Sequence, residues 1–151
     1  VTPTDIAQFA GVALAAAGLG FTGMQTRFLV KTNQALVYQN IISLMADIDR
    51  LFVEHPLLRP FFYDKTEPPP PGELRCQVDA MAELLLDFMD NYFIQAPHMP
   101  VAGDDQQWQD YFAEEFDASP ALRALFESKR NWYDGALLAI GEAALARARE
   151  T

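Results

Sequence analysis

IAQFAGVALAAAGLGFTGM, residues 6–24, runs nineteen positions without a charged side chain, and its reading decides the architecture. Gln8 and Thr22 are its only polar side chains, both near the ends. As a helix it spans roughly 28 Å at about 1.5 Å per residue, close to the thickness of a bilayer's hydrocarbon core. Ahead of it, Thr2-Pro3-Thr4-Asp5 supplies a capping residue, a proline at the first helical position and an acid in the first turn. Asp5 stands where a secretory signal peptide would carry Lys or Arg. Arg27 and Lys31 follow the run, with no acid until Asp47. The positive-inside rule then puts the C-terminal bulk in the cytoplasm and a short N-terminus outside.

The expectation is a single-pass cell-membrane protein, with an anchor at residues 1–24 and an acidic helical cytoplasmic domain at 25–151. Two competing readings weigh less: an Ala/Gly-rich helix buried in a soluble fold, and a cleaved signal peptide. Ala7, Gly11 and Ala15 recur at small-xxx-small spacing, which lets two helices approach closely and suggests a homo-oligomer in the bilayer.

No Pro or Gly interrupts residues 25–55, so the anchor is expected to continue as one long helix. Leu29, Leu36, Ile41, Leu44, Ile48 and Leu51 read as its apolar stripe, widened by Tyr38, Ile42, Met45 and Phe52. Its first half is polar enough for a membrane-proximal stalk; its second half reads as core. After the loop Glu67-Pro68-Pro69-Pro70-Pro71-Gly72, a helix over 73–93 buries Leu74, Val78, Met81, Leu85, Phe88 and Tyr92. The two prolines and glycine of 95–104 mark a loop. A helix over 105–116 turns Trp108, Tyr111, Phe112 and Phe116 inward. Ser119-Pro120 opens another, and an Ala-rich helix over 135–150 ends basic at Arg147 and Arg149. No stretch alternates with period two. The class is all-α: a transmembrane helix continuing into an irregular bundle of about four to five helices.

Charge narrows the function classes. The net charge is −10, and between Arg75 and Arg123 there is no Lys or Arg, while ten carboxylates fall in that interval. Such a surface repels phosphates, so nucleic acid is not an expected partner. Asp79, Glu83 and Asp87 follow one another at i,i+4 with Asp90 next, a spacing that destabilises an isolated helix. Either water and salt screen this face, the preferred reading, or a basic protein partner or a cation sits there. His55 and His98 lack a third ligand at metal spacing, and no Glu-x-x-His pair exists, so no metal or other cofactor is expected. Cys76 is the lone cysteine and has no histidine beside it in sequence. Hydrolase elbows, phosphate-cradling loops and dinucleotide fingerprints are absent, so no catalytic residue is assigned and enzyme activity is not expected.

One pattern occurs twice. Residues 52–62 (FVEHPLLRPFF) and 116–126 (FDASPALRALF) both read F-x-x-[HS]-P-x-L-R-x-φ-F, 64 positions apart. In each, an aromatic closes a helix, a capping residue and Pro start the next turn, and Leu and Phe return to the core. The Arg is placed to meet the preceding helix's open carbonyls. Pro60 cuts the first copy to a single turn. The flanks do not extend the match, so convergent junction chemistry is preferred to duplication.

Arg50 to Tyr63, RLFVEHPLLRPFFY, resembles the signature of a family of small uncharacterised bacterial proteins. That family pairs an N-terminal membrane helix with an R-x-F-x-x-H-P-x-L-R-P-x-F motif and a later Trp and S-P-x-L-R element, matched by Trp108 and by Ser119 to Arg123. The resemblance implies architecture and carries no established activity. The function expected is therefore a membrane-anchored protein-interaction module. The alternative is a membrane-tethered sensor in which Arg50, His55, Arg59 and Tyr63 bind a small anion.

Overall fold

The computed structural model describes the backbone of residues 3–99, 105–133 and 135–150, and the side chains of 18–97, 99, 106–133 and 135–150. All regular structure in these residues is helical. Helix α1 spans Pro3–Glu54 without a break, crossing the expected anchor boundary at residue 24. A 3-10 turn (Pro56–Leu58) and the one-turn α2 (Pro60–Tyr63) follow. Then come α3 (Glu73–Gln95), a 3-10 turn (Ala96–His98), α4 (Asp105–Ala118) and α5 (Pro120–Lys129). A last 3-10 turn, Arg130–Trp132, precedes α6 (Gly135–Glu150). The bundle thus has six helices among the described residues, one of them the single turn that Pro60 was expected to impose.

The core lies where α3 meets the other helices. Val78, Ala82, Leu86 and Met89 of α3 are sealed, with Phe62, Phe112, Phe116, Leu122 and Phe126 around them. Tyr92, Phe93, Trp108 and Phe112 form a ring cluster joining α3 to α4, Tyr92 and Trp108 lying 4.7 Å apart between centroids. Buried aromatic rings bring large apolar area, and edge-to-face contacts add about 0.5–1.5 kcal/mol per pair. Gly141 sets how closely α6 approaches α5: a Cβ there would stand 2.3 Å from the Phe126 ring.

Among the described residues, helix α1 joins this core only at its C-terminal end. Ile41, Ile48 and Phe52 are buried, and Val37, Met45 and Leu51 are partly covered. Leu29, Leu36 and Leu44, read from the sequence into the same stripe, are exposed. The expected single stripe is therefore two: one packs on α3, and the other is exposed among the described residues, meeting the bundle only where Leu44 borders the gap between α1 and α3. From Gly18 to Asn33 every residue is exposed.

Among the described residues no helix is long and apolar enough to cross a membrane. The side chains of residues 6–17, most of the expected span, lie outside the described residues, as do those of Ala7, Gly11 and Ala15.

Candidate interaction surfaces

The free part of α1 is the largest feature that the bundle leaves uncovered. Leu19, Phe21, Met24, Phe28 and Leu29 are all more than 60% exposed. The hydroxyls of Thr22 and Thr26 donate at 2.9 Å to the carbonyls of Gly18 and Thr22, so those side chains turn methyl groups outward. Further along, α1 and α3 part to leave a groove. Two adjoining cavities of about 250 Å³ each share Leu51 and Leu84. One is bounded by His55, Leu58 and Met81, the other by Leu44, Ile48 and Phe88, with Asp47 and Asp87 at its rim.

The first junction does not gather its four expected ligand-binding residues into one cluster. Arg50 is held by two acids of its own helix, Asp47 at 3.2 Å and Glu54 at 3.6 Å. His55 makes no side-chain cap and lines the apolar groove. Arg59 and Tyr63 are together, the guanidinium carbon 5.0 Å from the ring centroid. Tyr63 also packs edge-on against Phe52 at 5.2 Å. Burial, with Glu115 and Asp49 nearby, pushes the Tyr63 hydroxyl up to about 12, partly offset by Arg59.

The second junction is built as the residue types demand. Ser119 is fully buried; its Oγ accepts from Leu122 N–H at 3.0 Å and donates to the Phe61 carbonyl at 2.9 Å. Arg123 Nη1 donates to the carbonyls of Phe116 and Asp117, satisfying the open end of α4. Lys65, in the left-handed region with φ 54°, donates its N–H to the Ala118 carbonyl at 3.1 Å. Arg147 of α6 reaches Asp117 at 2.9 Å. Three cations and one carboxylate thus line a cleft at the negative end of the α4 dipole, an arrangement that satisfies a helix C-terminus.

The acidic run of α3 is partly matched within the chain. Asp79 accepts from Arg75 Nε at 2.8 Å, and Glu83 pairs with Lys129 of α5. Asp87 lies on the groove rim. Asp87, Glu83 and Asp90 all bear on Tyr133, whose hydroxyl rises to about 12, mainly through burial. Two further pairs, Arg130 with Glu142 and Arg149 with Glu127, tie the C-terminal basic residues to acids on neighbouring elements.

Reading the sequence missed Glu115. It is a carboxylate 7% exposed, held between α1, α2, α3 and α4. Burial raises its pKa to about 7; a hydrogen bond from Tyr111 opposes the rise, and Asp49 and Glu114 add to it. Tyr111 is itself pushed well above its ordinary value by burial and by Glu115. The space beside Glu115 is about 10 Å³, at the lower limit for a single water, so no organic ligand fits. The missed signal was positional. Glu115 lies one turn after Tyr111 and between Phe112 and Phe116, on the inward stripe of α4.

Among the described residues no group of three or more His, Cys, Asp or Glu is placed to hold a metal ion, and the side chain of His98 lies outside them. Cys76 is a free, exposed thiol. No family model, curated protein or solved structure matches the chain.

Proposed function

We propose that the chain is a membrane-anchored helical protein-interaction module, single-pass, with its bulk on the cytoplasmic side. One observation carries this reading: α1 is continuous from Pro3 to Glu54, yet among its described side chains only those from Val37 onward pack on the bundle. The exposed Leu19, Phe21 and Met24 extend the uncharged run that begins at Ile6. Burying such side chains gives about 1.5–3 kcal/mol each, so a structure that leaves several of them bare calls for lipid or protein to cover them. A helix that runs unbroken from bilayer to bundle makes the anchor part of the domain it carries.

In this reading a basic protein partner meets the acidic side of α3, formed by Asp79, Glu83, Asp87 and Asp90. Asp79 and Glu83 already hold Arg75 and Lys129, so a partner's cations would have to exchange with these or use the groove rim at Asp87. The sensor alternative draws on the Arg59–Tyr63 pair alone, because Arg50 is engaged by Asp47 and Glu54. The resemblance of residues 50–63 to small bacterial membrane-helix proteins points the same way as α1 does.

Alkaline extraction of membranes from cells expressing the full chain tests the anchor. The protein should remain in the pellet, and a chain beginning at Gln25 should move to the supernatant. Recovery of both forms in the supernatant would end the reading. Topology is tested in a Cys76→Ser background with thiols introduced at Thr4 and at Gln34. An impermeant reagent on intact cells should label the first and spare the second.

A further inference from the structure

The exposed face of α1 has an order that lipid alone does not explain. Gly18, Leu29 and Asn40 are eleven residues apart, as are Thr22, Asn33 and Leu44. Eleven residues make three turns of a nearly straight helix, so these positions share one face along the free length of α1. That face carries no charge from Gly18 to Leu44; Arg27 and Lys31 fall on the opposite side. Its first acid, Asp47, is already held by Arg50. At its N-terminal end, Gly18, like Gly20 and Gly23 on other sides of the helix, has open space where a Cβ would stand, so no contact among the described residues requires glycine there. Glycine inside a helix costs about 1 kcal/mol relative to alanine, and close approach of another backbone is what recovers it.

Lipid does not cover the middle of this face. Lys31, Asn33, Gln34, Gln39 and Asn40 surround the helix there, which places Leu29, Leu36 and Leu44 at or beyond the edge of the hydrocarbon. Leu29 and Leu36 are 64% and 58% exposed, and Leu44 leads into the α1–α3 groove. We infer that this face pairs with the same face of a second copy, parallel and in register, from Gly18 to Leu44, each copy's Leu44 closing the groove of the other. The parallel sense rests on the membrane reading, since anchored copies enter the bilayer in one direction.

Self-pairing requires each residue to meet itself, and the face permits that. Gly18 meets Gly18 at close range, and leucine meets leucine. Asn33 and Asn40 meet their counterparts as donor and acceptor at once, and an asparagine in such a seam selects register and oligomer state. A charged position would repel its own image, and the face has none until Asp47.

Disulfide trapping of the full chain in native membranes tests this, in a Cys76→Ser background. Leu36→Cys lies on the proposed seam; Lys31→Cys, also at an exposed position, lies on the far side. Mild oxidation should convert the Leu36→Cys form to a covalent homodimer, verified by intact mass, several-fold more than the Lys31→Cys form. Equal trapping of the two, no trapping of either, or a disulfide from Leu36→Cys to a different protein would overturn the inference. Alkaline extraction of the same samples separates the two proposals. Membrane retention without seam-specific dimer refutes the pairing and keeps the anchor. Seam-specific dimer in the soluble fraction refutes the anchor and leaves the pairing without its argument for parallel sense.

Discussion

Residues 52–62 and 116–126 share one pattern, and the chain folds them into two different joints. At the second, Ser119 caps α5 through Leu122 N–H, and ten helical residues follow. At the first, His55 provides no side-chain cap; a 3-10 turn and one turn of α-helix are all that form before Asp64. The difference traces to two positions. Serine accepts from an N-terminal N–H at short reach, whereas imidazole in that place turns to the groove. Pro60 then removes the N–H that would continue the ladder, where Ala124 keeps it. The joints also bond to each other, through Ser119 Oγ to the Phe61 carbonyl and Lys65 N–H to the Ala118 carbonyl. The apolar residues that the copies share, Phe52 and Phe116, Leu58 and Leu122, Phe62 and Phe126, thus reach the core in both, whereas the polar positions have diverged in identity or, for the arginines, in contacts.

That division can be broken first where the copies agree. Phe62 and Phe126 end the two patterns, and both are fully buried. Each Phe→Ala change should cost about 3–5 kcal/mol by denaturant unfolding, and the two costs should be alike. A large disparity would show that the pattern match is accidental even in its apolar part.

Where the copies differ, the effects should separate. Ser119→Ala removes a cap and leaves the half-buried Phe61 carbonyl without its donor, so a loss of about 2 kcal/mol is expected. His55→Ala, an exposed site, should stay within about 0.5 kcal/mol. Chemical denaturation of both variants side by side measures the contrast.

The residue before the first aromatic also differs: Leu51 at the groove in one copy, buried Glu115 in the other. Glu115 holds its proton more tightly folded, near 7, than its ordinary value of 4.5. Between these values the native state binds more protons than the unfolded one, so stability falls as pH rises. The contribution is fully present below about 4.5 and lost as pH passes through about 7. Glu115→Gln should therefore flatten the curve over that window, by on the order of 2 kcal/mol relative to the parent. Unfolding midpoints at pH 5 and pH 8 for both chains decide it; an unchanged slope would remove Glu115 as its source.

How far these features were legible follows from their range. The starts of α3 and α5 and the single turn at Pro60 are local, set by apolar spacing, a Ser-Pro cap and a missing N–H. The inward rings of α4 followed from spacing too, though Glu115 was counted with the surface acids because residue type outweighed position. The two faces of α1 merge in the sequence because Leu36 and Ile41 are both apolar and only about two fifths of a turn apart around the helix. Which of them meets α3 depends on contacts far away in sequence. The same holds for Glu83 and Lys129, 46 residues apart, whose pairing no local pattern announces.

The smallest expected contrast lies in the arginines that the two patterns share. Both were expected to meet the carbonyls of the helix before them, and only Arg123 does so. Arg59 instead lies over the Tyr63 ring at an exposed site. Replacing each by Met keeps most of the aliphatic packing and removes the cation. Arg123→Met leaves two α4 carbonyls without a charged donor and should cost about 1.5 kcal/mol. Arg59→Met gives up an exposed cation–π contact, about 0.5 kcal/mol. Salt sharpens the comparison, because screening acts mainly on the exposed site and far less on the half-buried one. In high salt the Arg59→Met penalty should shrink towards zero while that of Arg123→Met persists. Equal penalties at low salt, fading together, would mean that neither arginine works through its carbonyls and that the junctions are more alike than their geometry indicates.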